Sequence, residues 1–382
     1  MPIGFAPRLA ALYAAIFAVM GIQLPFFPLW LEAKGLDASM IGVVLAAPLV
    51  VRIFAITVAT RVADRRDVLR GAIAVTAAAS IAGFALVGLA SGPFGILAAY
   101  TVAAFAFTPV MPLTEAYALK GLAARGRAYG PVRLWGSAAF ILGTFAAGFA
   151  TDLFPTRHLI WLIAGMTLIA ALAALALTPL PSVARAGDEP APSARGLLGN
   201  RGFLAVVAAA SLIQASHAVY YAFSALEWRS AGIGGGAIAG LWALGVIAEI
   251  GLFASQGRLP PAITPAVLLM IGGCGAALRW AAMACAPPVA LLPFLQLLHA
   301  ASFGATHLGA LAYVARVARA GQAATAQGVL AIALGLTMAV ATGLSGLIYG
   351  SVGSLAYAAM ALAAVAGGVA GYIAKRAARA AG

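Results

Sequence analysis

The chain has 382 residues, of which 64% are hydrophobic and only 9% are charged. Soluble domains average about 25% charged residues, so this composition excludes a water-soluble globular protein and indicates a membrane protein with many spans. The net charge of +13 alternates between loops instead of forming one basic stripe, which argues against nucleic-acid binding and for a membrane-orientation signal.

Apolar segments of about 20 residues recur along the chain, and each is long enough for a helix to cross about 30 Å of hydrocarbon. They predict an all-α polytopic membrane protein with twelve transmembrane helices and no soluble domain. The predicted spans are residues 9–31, 40–60, 71–90, 94–117, 129–151, 158–178, 202–226, 236–255, 263–284, 288–313, 326–349 and 351–374.

A polar, Pro-rich segment divides these spans six and six. It predicts a flexible linker between two helical bundles. The expected domains are an N-terminal six-helix bundle at residues 1–178, a cytoplasmic linker at 179–201 and a C-terminal six-helix bundle at 202–382. Two six-helix halves with pseudo-two-fold symmetry are the layout in which repeated bundles enclose a substrate site at the membrane midplane.

The basic residues are distributed unequally between the two predicted sides of the membrane. Of the 23 Lys and Arg residues, 17 fall in the loops and termini of one side, 3 in those of the other and 3 inside spans. Because cytoplasmic loops carry an excess of Lys and Arg, this bias predicts a multi-pass protein with both termini in the cytoplasm. The expected location is the bacterial inner (plasma) membrane.

The polar exceptions inside the predicted spans of the first half are Gln23, Arg52, Glu115 and Arg133. Glu115 and Arg133 lie at similar distances before and after the short loop that joins the fourth and fifth spans, so they reach similar depths on neighbouring helices. Charged groups inside a span tend to pair or to mark a transport pathway. For Arg52, helix stapling and substrate binding remain equal alternatives.

The loop after the second span interleaves charges of both signs. Asp64 and Arg65 lie at its centre, within the sequence Arg61-Val-Ala-Asp64-Arg65-Arg66. Opposite charges at a membrane surface form ion pairs that hold one conformation and break in another. Asp64 and Arg65 are therefore candidate residues of a conformational gate.

The ninth and tenth spans form a second hairpin with polar residues at matching depths. Arg279 precedes its Pro-rich turn, and Gln296, His299 and His307 follow it at offsets that place them on one helix face. This stripe indicates a face turned toward the bundle interior or a water-filled cavity, and a helix–helix hydrogen-bond seam is the alternative. Glu249, with no basic residue within one turn, is either a proton carrier or a permanently neutral structural residue.

Several of these tracts resemble the major facilitator superfamily. The sequence AxRVADRRxxxR at residues 59–70 is similar to its signature loop, with Thr60 where the signature has glycine. Glu115-Ala-Tyr and Arg133-Leu-Trp135-Gly resemble the substrate-binding glutamate and arginine of the lactose permease branch. Arg279 and His299 match the arginine and histidine of its ninth and tenth helices, whereas Gln296 and Ser302 replace that branch's lysine and coupling glutamate.

Longer tracts resemble the phenylpropionate transporters of the same branch, among them GIQLPFFPLWLEAKGL, YGPVRLWGS and QLLHAASFGATHLGA. The resemblance implies a twelve-helix fold and transport by alternating access. The predicted function is therefore proton-coupled symport of a small organic solute, with an aromatic carboxylate such as 3-phenylpropionate preferred. A sugar or nucleoside proton symporter and a drug exporter are the alternatives.

The predicted roles divide the polar residues into groups. The chain is expected to be a monomer in the lipid bilayer that binds a small-molecule substrate and a proton, uses no cofactor or metal, binds no nucleic acid and is not an enzyme. Substrate binding is assigned to Gln23, Arg52, Glu115, Arg133, Trp135 and Tyr220, proton coupling to Glu249, Arg279, His299, Gln296 and His307, and the gate to Asp64 and Arg65.

Overall fold

The computed structural model describes residues 4–66, 68–180, 195–317 and 322–380. Within these ranges the regular structure is helical and contains no strand. Eleven helical stretches are long and apolar enough to cross a membrane, and the last of them, Thr325–Ala377, has 53 residues. Because two helices joined by a short turn make up that last stretch, the twelve predicted spans are all present.

The first half of the chain forms seven helices. Most of the predicted linker, residues 181–194, lies outside the described residues. The helices are α1 (Phe5–Ala33), α2 (Ala38–Arg66), α3 (Leu69–Leu89), α4 (Pro93–Phe107), α5 (Val110–Ala123), α6 (Gly130–Leu153) and α7 (Leu159–Leu175), and a 3₁₀ turn at Thr156–His158 precedes α7.

The second half begins with a short helix and continues with the remaining spans. The helices are α8 (Arg195–Leu198), α9 (Arg201–Ala215), α10 (Ala218–Ser230), α11 (Gly235–Ser255), α12 (Pro265–Ala284), α13 (Leu292–Leu297), α14 (Thr306–Val317), α15 (Ala323–Val352) and α16 (Ala356–Ala380). A π-helix at Ala300–Ala305 connects α13 to α14, and 3₁₀ turns lie at Gln256–Arg258, Val289–Leu291 and Gly353–Leu355.

The fourth and the seventh span are each divided into two helices. In the fourth span, α4 ends before Thr108-Pro109 and α5 begins at Val110, because proline lacks the backbone donor that a continuous helix needs. In the seventh span, α9 and α10 are separated by Ser216 and His217. Broken helices in membranes are tolerated where other groups satisfy the freed backbone atoms.

The chain divides into two compact units. The first comprises Met1–Ala184 together with Ser224–Gly240, and the second comprises Arg185–Phe223 and Leu241–Gly382. Each unit is therefore made of two stretches of the sequence, since Ser224–Gly240 is grouped with the first unit. The predicted domain boundaries at residues 179–201 stay a prediction.

An ion pair and a helix cap hold the start of α11 against the end of α6 inside the first unit. Asp152 Oδ1 accepts hydrogen bonds from Arg229 Nη1 at 2.5 Å and from the amide of Gly235 at 2.7 Å, and Oδ2 accepts one from the amide of Gly236 at 3.0 Å. A carboxylate at a helix N-terminus satisfies free amides and complements the helix dipole. Asp152 therefore links three parts of the first unit at once.

Small residues allow close packing of helices in each unit. A Cβ atom added to Gly21 in α1 would overlap the carbonyl oxygen of Phe140 in α6, and one added to Gly143 would lie 2.6 Å from the carbonyl oxygen of Ala18. In the second unit, Gly273 of α12 and Gly368 of α16 meet in the same way. Without a hydrophobic effect between helices in lipid, such close backbone contact supplies much of the packing energy.

Replacing Gly21 with alanine will therefore destabilise the first unit. The added methyl group has to push α1 away from α6, and overpacking of this kind costs about 1–3 kcal/mol. Thermal unfolding of the purified protein measures the effect as a lower Tm. Gly165 in α7 is the matched control, because a Cβ atom there meets nothing within 4 Å. Gly165→Ala will leave the Tm unchanged or raise it, and an equal loss in both variants would contradict the packing explanation.

Candidate functional site

The first unit contains a polar cluster built around Glu115 of α5 and Arg133 of α6. Arg133 Nε lies 3.5 Å from Glu115 Oε1, and the two side chains are 28% and 29% exposed. The guanidinium also lies over the ring of Phe17, 3.9 Å from its centroid, and 5.7 Å from that of Tyr13. The predicted pairing of Glu115 with Arg133 is present, and α1 adds an aromatic wall to it.

Tyr129 completes this cluster, and the sequence analysis assigned it no role. Its hydroxyl donates a hydrogen bond of 2.5 Å to Glu115 Oε2. Tyr129 immediately precedes α6. Its phenol is the donor in this hydrogen bond, because an ionised carboxylate can only accept. In the sequence, Tyr129 could have been identified as a candidate site residue from its position immediately before the helix that carries Arg133.

The other predicted residues of the first unit do not join the Glu115–Arg133 pair. Gln23 donates to the hydroxyl of Tyr100 at 2.5 Å, and Arg52 is exposed on α2. Trp135 is 61% exposed and follows Arg133 by two residues, which places it about 200° around the helix. The predicted gate is described only in part, since Arg65 is exposed near the end of α2 and the side chain of Asp64 lies outside the described residues.

The second unit contains a buried network centred on Arg279 of α12. Its Nη2 donates to Gln296 Oε1 at 2.5 Å, and its Nη1 lies 3.1 Å from His299 Nδ1. Because a guanidinium has donors only, His299 Nδ1 must be the acceptor and the ring proton lies on Nε2. That Nε2 faces Glu249 Oε2 at 3.6 Å. The hairpin predicted from residue depths thus brings Arg279, Gln296 and His299 together.

The structure corrects the description of Glu249. No basic residue lies within one turn of Glu249 on α11, which predicted a carboxylate without a basic partner. The partner comes from a different helix, since Glu249 lies beside His299.

Aromatic rings surround the guanidinium of Arg279, which is fully buried. Its Cζ lies 4.4 Å from the centroid of Tyr220 and 4.6 Å from that of Trp280. Tyr220 in turn stacks on Trp242 with centroids 4.7 Å apart. Aromatic faces partly stabilise a cation that has left water. Tyr220, predicted as a substrate-binding residue, is therefore placed with the predicted proton-coupling residues.

The break between α9 and α10 positions His217, which the predicted site residues did not include. His217 is fully buried, and its Nδ1 lies 3.0 Å from the carbonyl oxygen of Ile213. The Nδ1 atom must therefore carry the proton, and Nε2 accepts from the hydroxyl of Ser302 at 3.2 Å. Ser302 belongs to the π-helix that follows His299, and π-helical segments occur frequently at functional sites.

His307 lies further along the same helix and makes no hydrogen bond to the Arg279 network. The rings of His299 and Phe303 stack with centroids 5.1 Å apart, and those of Phe303 and His307 stack at 6.1 Å. His307 also lines a cavity of about 240 Å³ together with Gln214 and Gln327. Among the described residues, no group of three or more His, Cys, Asp or Glu is arranged to hold a metal ion.

Comparison with known proteins gives a consistent result. Residues 7–361 match the family described as "MFS_1 like family". The chain is 32% identical over 378 residues to the "Probable 3-phenylpropionic acid transporter" of Escherichia coli (strain K12), with 94% of each chain covered. It is 26% identical over 312 residues to the maltose permease of Geobacillus stearothermophilus, which covers 80% of this chain and 78% of the permease.

A solved structure shows the same fold. The nucleoside transporter NupG (D323A mutant) superimposes with a TM-score of 0.84 at 17% identity, covering 98% of this chain and 100% of the other. Together with the helical spans and the buried charges inside them, these matches show that the chain belongs to the MFS_1-like family and is a transporter of the major facilitator superfamily.

Proposed function

We propose that the protein is a proton-coupled symporter of a small aromatic carboxylate, such as 3-phenylpropionate, that works by alternating access. The observation that carries this proposal is the network Arg279–His299–Glu249 inside membrane-spanning helices. Ionisable groups in hydrocarbon are costly to bury, so their presence inside a span is by default a sign of function. A carboxylate next to a neutral imidazole supplies a group that takes up and releases a proton.

Glu249 and His299 are the proposed proton-coupling residues, and the proton is bound by the carboxylate of Glu249. Arg279, whose other amino group donates to Gln296, holds the imidazole in one tautomer, with its N–H directed toward the carboxylate. His307 lies one ring further along the helix, beyond Phe303. It is the candidate for passing protons between this network and the neighbouring cavity, which also contains the amides of Gln214 and Gln327.

The substrate class is suggested by the relative that is 32% identical over nearly the whole chain. Glu115 and Arg133 are proposed to bind the substrate, with Arg52 as a second source of positive charge. The remaining proposed binding residues are Gln23, Trp135 and Tyr220.

A neutral, hydroxyl-rich substrate is the second candidate. Glu115 and Arg133 together present acceptors and donors at a partly exposed position, which suits a sugar or nucleoside hydroxyl as well as a carboxylate. The maltose permease is a more distant relative. A sugar or nucleoside proton symporter is therefore the alternative that a substrate panel has to separate from the first.

The membrane setting is part of the same proposal. The excess of Lys and Arg on alternate loops supports a bacterial inner membrane location with both termini in the cytoplasm. Asp64 and Arg65 would then lie at the cytoplasmic surface, where they are proposed to act as a gate. The working unit is proposed to be a monomer.

Uptake into proteoliposomes tests this function. Purified protein is reconstituted, a pH gradient is imposed with the outside acidic, and labelled 3-phenylpropionate, maltose, lactose and a nucleoside are compared. We expect accumulation of the aromatic acid above its external concentration and loss of that accumulation when a protonophore is added. Equal uptake with and without the gradient would contradict proton coupling. Accumulation of only a sugar or a nucleoside would contradict an aromatic carboxylate as the substrate.

A further inference from the structure

The charge of Arg279 is not balanced by its direct partners. Among the ion pairs of the described residues none joins a carboxylate to its guanidinium, and Gln296, His299 and the phenol of Tyr220, which contact the guanidinium, are all neutral. Glu249 faces the other nitrogen of the His299 ring. The network is therefore neutral as a whole only while Glu249 is ionised, and an uncompensated charge on the fully buried Arg279 is strongly unfavourable.

Three buried donors in this region lack acceptors among the described residues. They are Nε of Arg279, Nε2 of Gln296 and Nε1 of Trp242. Buried polar atoms in proteins are nearly always hydrogen-bonded, so unpaired ones need an explanation. All three groups donate, and two of them belong to the network itself. An anion is the best acceptor for donors that lie beside a cation, since hydrogen bonds to an anion are charge-assisted.

The surroundings of these donors are aromatic. Tyr220 and Trp280 contact the guanidinium, Trp242 stacks on Tyr220, and Tyr357 stacks on Trp280 with centroids 5.8 Å apart. Flat apolar faces next to a cationic donor group suit a ligand that joins a carboxylate to an aryl ring, because ring stacking and ion pairing are then satisfied together.

We propose that Arg279 binds the carboxylate of the substrate, and that protonation of Glu249 creates the affinity for it. This proposal rests on the proposed function, which it deepens by assigning the anion site and the coupling between anion and proton. Arg133 is the less suitable receptor, because Glu115 already lies 3.5 Å from its guanidinium.

The coupling follows from the hydrogen bonds. His299 Nδ1 already accepts from Arg279, so an incoming proton goes to the carboxylate of Glu249 and not to the ring. Neutral Glu249 leaves the guanidinium without a counter-charge, and the carboxylate of the ligand restores neutrality. One proton and one anion therefore bind together and leave together. By linkage, each raises the affinity for the other by the same factor.

Other titratable groups face the network from the helices packed around it. The phenols among them are neutral at physiological pH, whereas histidines titrate in this range and are the competing candidates for the coupled proton. These groups are Tyr220, Tyr221 and Tyr357 near Arg279, His217 beside His299, and His307 beyond Phe303.

Equilibrium binding to the purified wild-type protein tests the anion site with two ligands of nearly the same shape. Calorimetry compares 3-phenylpropionate with the neutral 3-phenylpropionamide at about pH 6 and about pH 8. We expect the affinity for the acid to rise toward low pH, by up to about tenfold per pH unit for one coupled proton, and that for the amide to stay constant. Equal, pH-independent affinities, or no binding of the acid, would overturn the proposal.

Three variants identify the groups. Glu249→Gln mimics the protonated state and will bind the acid tightly at both pH values, whereas a remaining pH dependence would assign the proton to His217 or His307 and contradict the proposal. Arg279→Gln will lose the preference for acid over amide. The matched change Arg133→Gln will keep this preference. If Arg133→Gln loses the preference for acid over amide and Arg279→Gln keeps it, the anion site is at Arg133.

These outcomes are separable from a failure of the proposed function. If the wild-type protein accumulates the aromatic acid under a pH gradient but binds acid and amide alike, the function stands and the Arg279 site is wrong. If binding follows the pattern expected here but no gradient drives accumulation, the anion site stands and symport is wrong. If Arg279→Gln does not fold, Arg133→Gln decides the question, because loss of the preference for acid over amide in that variant would place the anion site at Arg133 and overturn the proposal.

Discussion

Glu249→Gln will abolish the accumulation of substrate that an imposed pH gradient drives. Glutamine has nearly the same shape and keeps an acceptor oxygen for His299 Nε2, which lies 3.6 Å from the carboxylate. Glutamine binds no proton at physiological pH, so proton movement down the gradient can no longer drive the substrate against its concentration difference. Loss of a positioned proton-transfer group lowers rates by about 100-fold or more, and we expect at least this loss in the initial rate of driven uptake into proteoliposomes.

Glu32→Gln is the matched control for this variant. Glu32 is exposed near the end of α1 and has no proposed role in proton transfer, so driven uptake will stay at the wild-type level. Thermal unfolding of both variants checks that neither has lost its fold. Wild-type accumulation by Glu249→Gln would show that a different group carries the proton.

The pair Glu115–Arg133 is expected to show opposite behaviour in stability and in transport. Glu115→Gln and Arg133→Gln alone each leave one charge without its partner inside a membrane span. For a fully buried pair this costs about 3–5 kcal/mol, and less is expected here because the side chains are 28% and 29% exposed. The double variant removes both charges and will recover most of the lost stability.

Transport will not recover in the double variant. If the pair binds substrate, both single variants and the double variant will lose about 100-fold in transport at limiting substrate, the scale of losing two charge-assisted hydrogen bonds. A double-mutant cycle on Tm and on initial uptake rate measures both effects. Recovery of transport together with stability would show that the pair only holds α5 and α6 together.

Both charged hairpins were predictable because their helices are adjacent in sequence. A short turn forces two spans to run antiparallel, so residues equally far from the turn reach the same depth in the membrane. Glu115 is paired with Arg133, and Arg279 with Gln296 and His299, as their equal depths predict. Trp135 was assigned by resemblance alone, and its side chain is 61% exposed.

The amino-acid sequence by itself determined the twelve apolar spans, since the thickness of the hydrocarbon sets the length of each segment. Only the tertiary structure decided which distant helices meet, and it gave Glu249 its partner His299, gave His217 its partner Ser302, and surrounded Arg279 with Tyr220 and Trp280. The physical reason is that lipid-exposed and buried faces of membrane helices are both apolar. Periodicity therefore identifies spans, whereas close packing of small residues and satisfaction of the few polar groups select their neighbours.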